Sequence, residues 1–124
     1  MGHFARVENG IVQEVIVAEQ EFIDNLVYDK PGEFVKASYN TRGGVHYLPG
    51  TSTPSDDQSK ALRYNYPGLG WIYSKEADAF YEPKPFSSWT LDTSTYRWIS
   101  PISKPTDDNI YTWNEENQSW DPVT

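Results

Sequence analysis

With 124 residues and a formal charge of −8, the chain fits one domain whose surface repels phosphate backbones and anionic headgroups, so nucleic acid and membrane are not expected partners. The lack of Cys excludes disulfides, thiolate metal sites and cysteine nucleophiles. Hydrophobic residues make up 37% and aromatic residues 15%, so large rings must supply much of the core, while nine Pro and eight Gly favour short strands over long helices.

From Phe4 to Val17 two apolar runs flank Asn9-Gly10, the strongest short-range signal for a β-hairpin. A two-residue turn there predicts that Val7 faces Val12 and that Phe4 faces Val15. Glu19 to Leu26 places Phe22, Ile23 and Leu26 on one stripe of a short helix, which Lys30-Pro31-Gly32 is expected to end. Glu33 to Tyr39 reads as a strand, Asn40 to Gly44 as a turn and Val45 to Leu48 as a return strand. Pro49 to Lys60 has no apolar periodicity and is expected to be a mobile or extended loop. The chain thus divides into residues 1–48, the loop 49–60, and residues 61–124.

The last of these parts contains a repeat. Trp71 to Pro83 superposes without gaps on Trp89 to Pro101, and Tyr111 to Val123 follows as a third copy. Each unit has a large ring, a spacer, a second large apolar residue, then Ser74, Asp92 or Asn114, a polar stretch and a closing ring at Phe80, Trp98 or Trp120. Such a unit predicts a hairpin whose Ser, Asp or Asn starts the turn by bonding nearby backbone. The expected fold is therefore mainly β with one short helix: consecutive antiparallel hairpins, the last three an aromatic-clasped meander with edges blunted by Pro83, Pro85, Pro101, Pro105 and Pro122.

Signals for chemistry are sparse. His3 and His46 lack a metal-ligand spacing, and the adjacent acids Asp56-Asp57, Asp107-Asp108 and Glu115-Glu116 sit where acids solvate bends. Adjacent carboxylates on one loop cannot by themselves flank a cleft about 5 to 9.5 Å wide, as glycoside hydrolysis requires. Gly68 to Gly70 lacks the third glycine and helix of a dinucleotide loop, and no calcium-loop pattern occurs. No enzyme activity, cofactor or metal is expected. The candidate interaction surface is the set Trp71, Tyr73, Trp89, Trp98, Trp113 and Trp120, rings needed as core that could also stack on a sugar or fill a partner's pockets.

The stretch from Asn65 to Asp92, with His3-Phe4-Ala5, Ser38 to Thr41, Asp78-Ala79-Phe80, Pro83-Lys84-Pro85 and Ser88 to Leu91, resembles small virion structural or uncharacterised proteins of marine and cyanobacterial tailed bacteriophages. These typically begin Met-Ala-His-Phe-Ala, where this chain has Gly2. The Pro49 to Lys60 loop and Trp71-Ile72 depart from the family pattern. The resemblance implies a phage context; together with the small self-contained domain, the proline-blunted edges and the rows of rings it leads to the expectation of a virion accessory protein, synthesised in the bacterial cytoplasm, with a capsid decoration or cement role preferred over tail or baseplate because fibres and spikes are normally longer chains. Its expected partners are the major capsid or a tail protein, with a homo-oligomer or a host glycan as further partners. A carbohydrate-binding host-recognition module and an assembly chaperone are the alternatives.

Overall fold

Asn9 and Gly10 adopt φ values of 53° and 78°, the pair of positive angles that a two-residue type I′ turn demands. They join β1 (Gly2–Glu8) to β2 (Ile11–Ala18), and Val7 faces Val12 as expected. Phe4, however, meets Ile16 rather than Val15. The register slips by one at Gln13, which has no partner because Arg6 faces Glu14. This bulge puts Val15 and Val17 on the same face as Val12, and sends Glu14 to the other face opposite Arg6. Without the extra residue, regular alternation would have put Glu14 on the Val12 face, and Val15 on the opposite one.

The structure, a computed structural model, describes residues 2–26 and 30–123. β3 (Glu33–Ala37) pairs antiparallel with the free side of β1, so β2 and β3 run parallel with β1 between them and the link between them must cross the sheet. α1 (Gln20–Asp24) lies in that crossover. It is shorter than the expected Glu19 to Leu26 and stops well before Lys30, where Asn25 bonds the Glu21 carbonyl through both its backbone N–H and its side chain. No residue of α1 is buried, and so short a helix without a packed face has little to extend it. Beneath the crossover Phe4 and Arg6 are buried. Arg6 donates to Glu14 at 3.0 Å and to the Pro31 carbonyl at 2.7 Å. Gly32, at φ +109°, rides so close to Val7 that a Cβ there would lie 2.4 Å from its carbonyl oxygen.

The opposite face carries the core: Ala5, Val7, Val12, Val35 and Ala37 under Phe80, with Val15, Tyr66, Trp71 and Tyr73 packed around them. The expected Asn40 to Gly44 turn is tighter than its sequence suggests. β4 (Thr41–Arg42) and β5 (Val45–His46) pair across Gly43 and Gly44, whose φ values are 60° and 83°. Residues 49–60, read as a mobile or extended loop, fold back on β5. Ser55 N–H donates to the His46 carbonyl, the Gln58 side chain bonds both His46 backbone groups, and Asp57 caps a 3₁₀ turn at Gln58–Lys60.

The repeat forms the hairpins it predicts: β6 (Ile72–Ser74) with β7 (Ala79–Tyr81), β8 (Thr90–Asp92) with β9 (Arg97–Ile99), and β10 (Tyr111–Asn114) with β11 (Ser119–Pro122). The turns correspond. Ser74 Oγ, Asp92 Oδ1 and Asn114 Oδ1 accept from the N–H of Ala77, Ser94 and Asn117, and each turn closes on a positive φ at Asp78, Tyr96 or Gln118. The second apolar residue faces the closing ring in each: Tyr73 with Phe80, Leu91 with Trp98, Trp113 with Trp120. The chain is a mainly β small domain with one short helix. Among the described residues β6 and β7 extend the N-terminal sheet, giving the order β3-β1-β2-β6-β7, while β8–β9 and β10–β11 are separate two-stranded ribbons. The expected meander is thus a series of hairpins not laced into one ladder, with Pro83, Pro85, Pro101 and Pro105, which have no N–H to donate, in the joints between them.

Candidate functional site

Since the ribbons share no backbone ladder with their neighbours, side chains must hold them. Rings do so in two groups. Between the first and second hairpins, Tyr81 packs on Tyr96 and Trp98, and Tyr64 packs on Tyr96. Between the second and third, Phe86, Trp89, Trp113 and Trp120 form one cluster with centroids 5.1 to 6.5 Å apart. Trp71 and Tyr73 belong instead to the sheet core, and burial pushes the Tyr73 phenol pKa up, helped by its hydrogen bond to Asp78.

The six rings singled out in sequence therefore divide between the core and the two inter-hairpin joints. Trp113 is buried at 8% exposure, and Trp71, Tyr73, Trp89, Trp98 and Trp120 are half-buried. Within the Trp cluster the planes cross at 57° to 80°, an edge-to-face arrangement that suits mutual packing and not a flat stacking platform. Polar clasps reinforce it. Trp98 Nε1 donates to the Glu82 carbonyl and Trp120 Nε1 to the Ile102 carbonyl, each at 2.7 Å, so each closing Trp grips the chain leaving the preceding hairpin. Lys84 and Lys104 lie over those two rings, 5.9 Å from the centroids. Trp89 Nε1 is buried without a hydrogen-bond partner.

Two polar hubs escaped the sequence reading. Glu115, taken to solvate a bend, instead accepts from Trp113 Nε1, Ser88 Oγ and Ser88 N–H, tying the lead-in of β8 to β10. These bonds, Ser88 Oγ first, hold its carboxyl below the ordinary glutamate pKa. Asn65 is 1% exposed. Its Oδ1 accepts from Gly43 N–H at 2.8 Å, and its Nδ2 donates to the carbonyls of Phe80 and Tyr96 at 3.0 and 3.1 Å. One amide thus joins the β4–β5 turn, the first hairpin and the second. Arg63 and Tyr64, just before it, both hold positive φ, an uncommon pair of left-handed non-glycine residues fixed by Phe80 N–H on Arg63 O and Gly44 N–H on Tyr64 O. The only local signal for this hub is a polar residue wedged between Tyr64 and Tyr66.

With the rings turned inward, the exposed apolar groups along the ribbons are aliphatic: Ile99, Ile102, Ile110 and Val123. Ile110 is 71% exposed, and it faces Val123 through the Val123 N–H bond to its carbonyl. Strand alternation could have located Ile99, because a residue beside an inward Trp98 must point out. His46 Nδ1 lies 2.6 Å from Ser55 Oγ, but that hydroxyl also meets the Asp57 carbonyl and serves to fasten the loop. In comparisons with known proteins, no family model, no curated protein and no solved structure matches the chain.

Proposed function

We propose that the protein is a non-enzymatic virion accessory component of a tailed bacteriophage, acting by buried contact area, with a capsid decoration or cement role preferred over a tail or baseplate role. The resemblance over nearly the whole chain suggests the phage context. The observation that carries the docking role is the exposure of Ile99, Ile102, Ile110 and Val123 along the two C-terminal ribbons, whose rings are committed to holding the ribbons together. Scattered aliphatics are ordinary on a surface, but Ile99 at the end of β9, Ile102 and Ile110 in the joint that follows, and Val123 beside Ile110 offer a capsid or tail protein apolar contacts. A shell repeats such a contact many times, so a modest interface of ~1,000 Å² per copy is enough to staple it.

A second reading, the host glycan, is favoured by a different pair of rings. Tyr39 stacks on His3 at 10° and meets Tyr66 at 80°, yet is itself exposed, which leaves ring surface for a sugar.

Quantitative mass spectrometry of purified virions tests the first reading by counting this chain against the major capsid protein. Hundreds of copies support decoration or cement. A few dozen or fewer move it to the tail or baseplate, and none points to an assembly chaperone. Loss of glycan-array binding by Tyr39→Ala, with the fold intact, would instead select the second.

A further inference from the structure

Natural sheets guard their edges, and here two of the outer strands are guarded while a third stretch is not. The free side of β3 is engaged at Lys36, whose carbonyl accepts from Arg63 at 2.9 Å. β7 is sealed by Arg63 and Asn65, which bond Phe80 N–H and the Phe80 carbonyl. β2 is covered only at its start: Val12 exchanges bonds with Trp71 and Gly70, and Ile11 faces Ile72. From Gln13 to Ala18 no strand among the described residues lies on that side.

The groups left there can be named. Val12 turns its N–H and carbonyl away from β1, as its bonds to Trp71 and Gly70 require, so Val7 opposite it turns toward β3, and alternation makes Ala5 and His3 do the same. Their partners Val15 and Val17 therefore aim N–H and carbonyl outward, into the open edge. Val17 is 55% exposed and no Lys or Pro interrupts Gln13 to Ala18. β2 ends two residues before α1, and Phe22 of that helix and Leu26 just beyond it line an apolar depression of about 510 Å³ whose other walls are Glu19, Glu21 and Asn25, with no basic residue among them.

We infer that the β2 edge from Gln13 to Ala18 together with the α1 depression is a strand-addition site for an extended apolar segment of a partner protein that carries a basic residue at one end. The partner's backbone pairs with Val15 and Val17, and its cation reaches the Glu19 and Glu21 rim. Charge decides the occupant: two copies of this chain each carry −8 and repel, whereas a basic segment is attracted. The site stands whether or not the protein belongs to a virion.

The test uses the full chain and a synthetic Val-Thr-Val-Thr-Val peptide with Lys at its N-terminal end, the end that antiparallel addition to β2 sets beside α1, read by amide hydrogen exchange. Saturating peptide is expected to slow exchange at Val15 and Val17 by about tenfold or more and leave Val12 unchanged, because only the outward amides gain partners. The same peptide N-methylated at alternate amides should have no effect. Val17→Pro removes an outward N–H and none of the bonds to β1, so it should abolish binding. Should that variant not fold, Glu19→Lys with Glu21→Lys supplies the second arm: weaker binding of the Lys peptide and stronger binding of a Glu counterpart. Unchanged exchange at Val15 and Val17 in saturating peptide overturns the proposal. So does protection of these amides by the protein's own concentration, which would assign the edge to a second copy.

Discussion

Asn65 shows what a single amide does when it is buried among carbonyls. Its replacement by Leu keeps the branched outline but strands Gly43 N–H and two carbonyls, so unfolding free energy should fall by about 2 to 4 kcal/mol, read as a lower urea midpoint at unchanged slope. The indoles make a finer comparison. Both Trp89→Phe and Trp120→Phe shrink a packed ring, but the first removes a buried N–H that has no partner whereas the second also loses the bond to Ile102 and should cost about 1 kcal/mol more. Equal losses at the two positions in thermal melts would contradict that difference. Neither residue's role was legible in the sequence. Trp89 and Trp120 could be recognised as members of a repeat, but which nitrogen finds an acceptor depends on where the Pro-rich joints bring the preceding hairpin. Asn65 had no local pattern, since its partners lie 15 to 31 residues further on or 22 residues back.

At the scale of elements, local rules carried the reading well wherever the information was local. Asn9-Gly10 and the Ser, Asp and Asn turn starters specified the hairpins because the turn chemistry and the cross-strand ring pair reside within each unit. The bulge at Gln13 lay outside that logic: burying Val15 with Val12 while pairing Glu14 with Arg6 is a requirement of the assembled sheet. α1 failed to extend for a similar reason, since an apolar stripe is a helix signal only where something covers it. The turns still carry a cost. Gln118 holds φ 49° in an exposed turn, so Gln118→Gly should raise stability by about 0.5 to 1 kcal/mol, seen as a higher melting temperature. The Ser88–Glu115 clasp gives a pH signature. Because the folded pKa of Glu115 is depressed, its contribution is present above the unfolded value of about 4.3 and disappears as pH falls through the folded one. Acid titration of Trp fluorescence should show the Trp113 cluster loosening as pH falls through the depressed folded pKa, and Glu115→Gln should diminish that step.

For the whole molecule, the unequal bonding of its parts predicts unequal stability. The sheet around Ala5, Val7, Val12 and Val35 combines a ladder with a buried core, while β8–β9 and β10–β11 rely on ring contacts and a few clasps. Native-state exchange should therefore find the ribbon amides opening at lower free energy than those of β1, with Thr112, whose N–H lies on the ladder side of its ribbon, exchanging before Ala5. Uniform protection from end to end would mean that the rings couple the ribbons as tightly as a shared ladder. The proline joints have a mechanical side as well. A pull on the C-terminal end loads β10–β11 first, then β8–β9, and meets the laced sheet last. Each ribbon would peel from its neighbour as a separate yield, so the tail of the molecule absorbs strain in steps while the N-terminal sheet stays folded.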